Sequence, residues 1–210
     1  MRDDKAPGSG PVRILLASSN AGKLREYGEM AAGSPVEVEL LPDFKQLPVF
    51  EENAPTFAEN AAGKALHYSK YTPEIVLADD SGLTVPVLGG APGVRSARYA
   101  GPSATDAERY EKLLREMSAH EGEKRRASFI CVIALARSGR ALGILSDRAD
   151  GVLATEPRGA GGFGYDPIFL FPQLGRTFAE LSPAEKNAYS HRGKAFTKIL
   201  NFLSEPSFPA

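Results

Sequence analysis

Apolar positions along this chain follow either the runs and alternation of strands or the spacing of amphipathic helices, and each switch between them marks an element. Residues 12–17 (VRILLA) are a short apolar run. Ser18, Ser19 and Asn20 end it, and helical spacing follows at Leu24, Tyr27 and Ala31, which predicts strand, tight turn and helix. Residues 36–41 (VEVELL) alternate as a second strand, and within 55–71 a helical stripe carries Phe57, Ala61, Ala65 and Tyr68. A third strand is predicted over 75–78 (IVLA). It is expected to end at Asp79-Asp80-Ser81-Gly82, ahead of a Gly- and Pro-rich loop from 88 to 102.

The second half changes character. Thr105 and Glu108 have the spacing of a capping box before Ala107, Tyr110, Leu114 and Met117, which share one helix face. Residues 128–136 (SFICVIALA) and 141–145 are apolar runs separated by Arg137-Ser138-Gly139-Arg140, a hairpin signal. Ser182, Pro183 and Glu185 cap a further helix, and Phe196, Ile199, Leu200 and Leu203 form the buried stripe of the last one. Gly193 is expected to break or kink that stretch. Helices alternating with strands predict a parallel first half and the hairpin an antiparallel second half, so the fold class is α/β with a mixed sheet. With no internal repeat, the expected organisation is a flexible tail over 1–11 and a single domain over 12–210.

Composition narrows the function. Lys plus Arg number 25 and Asp plus Glu 26, a net charge of −1, so no general basic field is present to hold nucleic acid. The one cysteine, Cys131, precludes an internal disulfide framework and reads as an inert core residue. His67, His120 and His191 lack zinc-ligand spacing. No apolar stretch reaches the roughly 18 residues of a membrane span, and the first eleven residues are polar where a signal peptide needs an apolar centre. A cytoplasmic protein with no membrane partner is expected.

Four segments carry candidate chemistry. Ser18, Ser19, Asn20, Ala21, Gly22 and Lys23 leave a strand and enter a helix N-terminus, where free N–H groups, the helix dipole and a lysine attract phosphate. Leu24 follows the lysine where a Walker P-loop needs Ser or Thr, and taken alone the segment also reads as a plain N-cap. Glu51-Glu52 and Asp79-Asp80 place carboxylates beside predicted strand ends, where they could share Mg²⁺ with substrate phosphates. Alone, the glutamate pair also reads as solvated. Gly159, Gly161 and Gly164 satisfy G-x-G-x-x-G, but the apolar run after them stops at Pro172 and is too short for a dinucleotide-binding helix. This segment reads instead as a loop presenting Phe163 and Tyr165 to a base, with Asp166 beside them, or as a hairpin connection with core aromatics. Lys186, Ser190, His191, Arg192 and Lys194 form a local basic cluster that suits an anion or a solvated helix face.

Together SSNAGK (18–23), FEENAPTFAENA (50–61), LADDSGL (77–83), GGAPGVRSARYAG (89–101), GGFGYDPIF (161–169) and SHRGKA (190–195) closely resemble the inosine triphosphate pyrophosphatase family, of the Ham1 or RdgB type. The resemblance runs in order from about Val12 to Leu203. It implies a central mixed sheet flanked by helices, with two lobes around a long substrate cleft. It also implies hydrolysis of ITP, dITP and XTP to monophosphate and pyrophosphate by a Mg²⁺-dependent homodimer. Carried onto this sequence, residues 18–23 hold the triphosphate, Glu51 and Asp80 bind Mg²⁺, and Asp80 orients or deprotonates the attacking water. Ser81 adds a substrate contact. Phe163, Gly164, Tyr165 and Asp166 line the nucleoside site, and Lys186, His191 and Arg192 reach the base or its nearest phosphate. Ser18-Ser19 stands where many relatives have Thr-Gly. The alternatives are a Maf-type pyrophosphatase with another base preference and a non-catalytic nucleotide-sensing module.

Overall fold

The computed structural model describes residues 11–205, so the expected tail lies almost wholly outside the described residues. Strand β1 (Val12–Leu16) leads through Ser18 to helix α1 (Ala21–Ala31), and β2 (Val36–Leu40) follows. Asn20 fixes the start of α1, its side-chain oxygen accepting from the Lys23 N–H at 3.0 Å. Helix α2 (Phe57–Tyr68) is capped by Thr56 in the same way and feeds β3 (Ile75–Thr84). Helix α3 (Asp106–Glu116) carries the predicted Thr105–Glu108 capping box. The hairpin β4 (Arg126–Arg137) and β5 (Arg140–Leu153) turns on Ser138 and Gly139, both at positive φ (52° and 77°). Short strands β6 (Phe169–Phe171) and β7 (Arg176–Thr177) precede α4 (Pro183–Tyr189) and α5 (His191–Leu203).

All seven strands form one sheet in the order β2-β1-β3-β4-β5-β6-β7. β1 pairs in parallel with β2 and β3, and every later pairing is antiparallel, as the sequence pattern predicts. One face buries Leu77, Cys131 and Ile133 against Tyr27 of α1 and Phe196 and Ile199 of α5. The other buries Val76, Ala78 and Val132 against Phe57, Ala61 and Ala65 of α2. A third cluster joins Leu83 and Phe129 to α3 and to Phe169 and Phe178.

Three expectations are corrected. The third strand does not end at Ala78: it continues to Thr84, because β4 pairs with it residue by residue from Val76↔Ala136 to Thr84↔Ser128. Asp79 and Asp80 are therefore inside a strand rather than on a turn. The second hairpin strand extends well beyond 145, since its polar residues Ser146, Asp147 and Arg148 still pair with β4. Helices α4 and α5 part at Ser190, not at Gly193. The Ser190 hydroxyl accepts from Gly193 N–H at 3.1 Å and caps α5, while a Cβ on Gly193 would collide with the Asn187 carbonyl. Gly193 therefore permits a tight junction that a neighbouring serine creates. The stretch from 88 to 102 is loop built around a short 3₁₀ segment, Gly93–Arg98.

A candidate active site between the phosphate turn and a row of buried charges

The pleat of β3 sends its two aspartates in opposite directions. Asp79 shares its face with Leu77 and points toward α1 and α5, fully buried. Its Oδ2 lies 2.9 Å from Lys23 Nζ and 3.6 Å from Arg192 Nη2, and the Ser81 hydroxyl donates to it at 3.4 Å. Burial alone would raise this carboxyl, but Lys23, Arg192 and Lys64 outweigh it and hold its pKa down to about 2. Asp80 points toward α2. Its Oδ2 accepts from Asn60 Nδ2 at 2.9 Å and its Oδ1 from the Ser81 N–H at 2.9 Å. Among the described residues it forms no ion pair, and burial with the nearby Glu52 charge keeps its pKa above the usual value despite Asn60 and the lysines.

A row of alternating charges runs from Asp79 into the second half of the chain. Arg192 meets buried Glu26 at 2.5 Å, Glu26 meets Lys186 at 2.6 Å, and Lys186 meets buried Asp166 at 2.5 Å. Lys23, Arg192 and Lys186 thus balance Asp79, Glu26 and Asp166. Burial pushes the Glu26 carboxyl up, but the two cations bring it below its ordinary value, whereas for Asp166 burial prevails over Lys186. The basic cluster around 186–192 is consequently internal. It is not a solvated helix face.

Phe163 lies over both cations, its ring centroid 4.7 Å from Lys186 Nζ and 5.4 Å from the Arg192 guanidinium carbon. The same ring abuts Gly22, where a Cβ would come within 2.8 Å of it. Tyr165 is buried, with its hydroxyl donating to Ser96 O at 2.9 Å. His191 is buried and stacked on Phe129 at 4.7 Å, and burial with the adjoining cations keeps its pKa well below the ordinary value. Asp79 Oδ1, His191 Nδ1 and Arg192 Nε are buried without a hydrogen-bond partner among the described residues. His191 and Arg192 line one cleft of about 870 Å³, with Asp79 buried behind its wall.

That cleft is lined by Ser18, Ser19, Asn20, Ala21, Gly22, Lys23, Asp80, Ser81, Phe163, Gly164, Tyr165, Asp166, Lys186, His191 and Arg192. The structure therefore brings together every sequence-predicted site residue except Glu51. The cleft-wall carboxylate of that pair is Glu52, bound by Lys64 at 2.9 Å, while Glu51 is exposed and its side chain has no partner among the described residues.

The profile of the Ham1 family matches residues 14–202. The chain belongs to the Ham1 family. A Geobacillus kaustophilus protein named dITP/XTP pyrophosphatase is 50% identical over 186 residues, spanning 89% of this chain and 91% of that one. A Coxiella burnetii protein of the same name is 48% identical, over 92% and 98% of the two chains. The solved structure of a HAM1 protein from Coxiella burnetii superposes with a TM-score of 0.81 at 47% identity, covering 92% of this chain and 98% of that one.

Within this Ham1 chain, sequence reasoning missed Glu26, Asn60 and Lys64. All three are polar residues buried on helices, Lys64 Nζ donating to Asp79 O at 2.8 Å. Glu26 adjoins Tyr27 on the stripe already assigned to the core, and Asn60 and Lys64 each precede an alanine of the α2 stripe. A polar residue that recurs on a buried face was the available signal.

Proposed function

We infer that the chain hydrolyses non-standard purine nucleoside triphosphates such as ITP, dITP and XTP to the nucleoside monophosphate and pyrophosphate. The observation that supports this most directly is the order of groups along one cleft. The Ser18–Lys23 turn presents N–H groups and a lysine for phosphates, Asp80 stands beside it, and the Phe163, His191 and Arg192 group can receive a base. A sensing module has no need of a carboxylate held beside the scissile anhydride. Asn60 fixes Asp80, whose raised pKa suits it to accept a proton from water. The water oxygen adds to phosphorus, the bond between the α- and β-phosphates breaks, and pyrophosphate leaves.

Asp80, buried with no ion pair among the described residues, fits Mg²⁺, as does the hard oxygen chemistry of the Glu51-Glu52 carboxylates. We assign the second carboxylate to Glu51, since Glu52 is already neutralised by Lys64. Bound Mg²⁺ would supply charge neutralisation on the phosphate oxygens. We further propose that the enzyme acts in the cytoplasm as a homodimer, with one catalytic domain per chain. No helix among the described residues is long and apolar enough to cross a membrane.

Base choice follows from hydrogen-bond polarity. Hypoxanthine and xanthine carry an acceptor oxygen at C6, to which Arg192 or a backbone N–H can donate, while adenine carries an amine that leaves two donors facing each other. Such a mismatch can reject the analogue by about 10⁴-fold. The test is a panel of triphosphates with Mg²⁺ and both products identified. ITP and XTP should lead, GTP follow, and ATP and the pyrimidine triphosphates trail, with pyrophosphate as the first phosphate product. Equal efficiency on ATP, or early inosine diphosphate, overturns the reading, and preference for dTTP or UTP moves it to the Maf type. In the same assay Glu51→Gln should raise the Mg²⁺ requirement more than Glu52→Gln, and the reverse order would transfer the ligand to Glu52.

A further inference from the structure

The tip of the glycine-rich loop is held from a helix to which neither the sequence motifs nor the proposed chemistry assigns any role. Asp106, the first residue of α3, projects into the same cleft, and its Oδ2 accepts from the Gly164 N–H at 2.6 Å across 58 residues of chain. Its other oxygen is held by Arg109 Nη1 at 2.6 Å, and Arg109 also donates to Ala104 O, so the carboxylate cannot turn freely. The loop itself needs such an anchor. Gly159, Gly162 and Gly164 all lie at positive φ (79°, 73° and 64°), a conformation without the restraint a side chain gives. On the far side of the tip, Phe163 N–H donates to Asp166 Oδ2 at 2.8 Å.

We propose that Asp106 is a positioning residue for base recognition. By holding Gly164 it sets the Phe163 ring across the cleft, against Gly22 of the phosphate turn and over the Lys186 and Arg192 cations. The inference rests on the nucleotide-hydrolase reading for its kinetic consequence, but its geometric content stands apart from that reading. A purely local role is the alternative, because an aspartate in the first turn of a helix also favours the helix dipole. The two differ in what they move. A dipole contact affects stability, while an anchor on Gly164 affects where residue 163 sits.

The sequence contains no tryptophan, so Phe163→Trp creates a single reporter at the loop tip. In that background, Asp106→Ala should raise the acrylamide quenching constant at least ~2-fold, while Asp106→Asn, which keeps an oxygen acceptor for Gly164, should restore most of the protection. In the otherwise unaltered protein, Asp106→Ala should raise KM for ITP about 10-fold with kcat within about 2-fold, as expected when an interaction common to ground and transition states is lost. Asp106→Asn should recover most of that KM. Unchanged quenching in Asp106→Ala overturns the proposal, as does an Asn variant as impaired as the Ala variant. Should Asp106→Ala not fold, Arg109→Ala serves in its place. It frees the carboxylate without removing it, and an unchanged quenching constant there overturns the proposal too. If the unaltered protein does not hydrolyse ITP, the function reading fails and the quenching comparison still decides the role of Asp106.

Discussion

Adjacent identical residues in one strand carry different duties here because the pleat gives them different neighbours. Asp80 faces Asn60 and the open cleft, and Asp79 faces Lys23, Arg192 and the core. Asp80→Asn preserves shape and the Asn60 neighbour but loses the proton acceptor, so turnover should fall by at least ~100-fold with an unchanged melting temperature. Asp79→Asn should behave otherwise. It leaves two buried cations short of their counter-charge, a loss of about 3–5 kcal/mol for broken buried pairs, visible as a lower denaturant midpoint. An Asp79→Asn protein as stable as the wild type would remove the charge clamp from this account. The sequence made the aspartate pair conspicuous and could not apportion it, since two neighbours in a strand differ only by which helix covers each face. Burial of Glu26 and Lys64 was signalled by their place beside apolar stripes, but their partners were not, because Lys186 and Arg192 lie far along the chain from Glu26, and Asp79 of β3 offers Lys64 a backbone oxygen.

At the scale of elements, apolar runs located the first five strands, misplaced their ends wherever polar residues stayed paired, and left the short β6 and β7 unrecognised. β3 continues through Asp79-Asp80-Ser81 because β4 supplies hydrogen bonds on one side whatever the side chains are, and β5 continues through Ser146-Asp147-Arg148 for the same reason. Helix starts were read more accurately, because a cap is a local hydrogen bond whose two residues lie three apart, as at Thr105 and Glu108 or Ser182 and Glu185. The α4–α5 junction shows the limit of that reading. Glycine marks close approach as often as a break, and here the Gly193 hydrogen faces the Asn187 carbonyl while Ser190 ends one helix and caps the next. Gly193→Ala should therefore destabilise the protein by about 1–3 kcal/mol through overpacking against backbone, even though alanine is the better helix former. A neutral or stabilised Gly193→Ala in urea titration would mean that the junction yields easily. Because His191 and Arg192 begin α5, the same variant should also weaken substrate binding.

Taken as a whole, the molecule places its cleft between the Phe129–Tyr165 cluster and the cluster under α2, and its buried charges there form a row with no net sign. This arrangement leaves His191 little room to ionise: it is buried against Phe129, and Arg192, Lys186, Lys23 and Lys194 all repel a proton on its ring. Its folded pKa lies well below the unfolded value of about 6.5, so the stabilisation it contributes is fully present above that pH. As pH falls further, the unfolded chain takes up a proton that the folded chain refuses, and stability declines until the folded pKa is passed. The slope from this single group approaches about 1.4 kcal/mol per pH unit. Unfolding free energies measured at intervals from pH 7 to pH 5 should fall in the wild type and fall less steeply in His191→Gln, which cannot take up that proton. The comparison is of slopes, since loss of the Phe129 stack lowers the variant's stability at every pH. Identical slopes would place the ring in contact with solvent or with an acceptor. A shallower slope in the variant would establish that the cleft keeps a neutral imidazole among four cations, able to offer one nitrogen as donor and the other as acceptor.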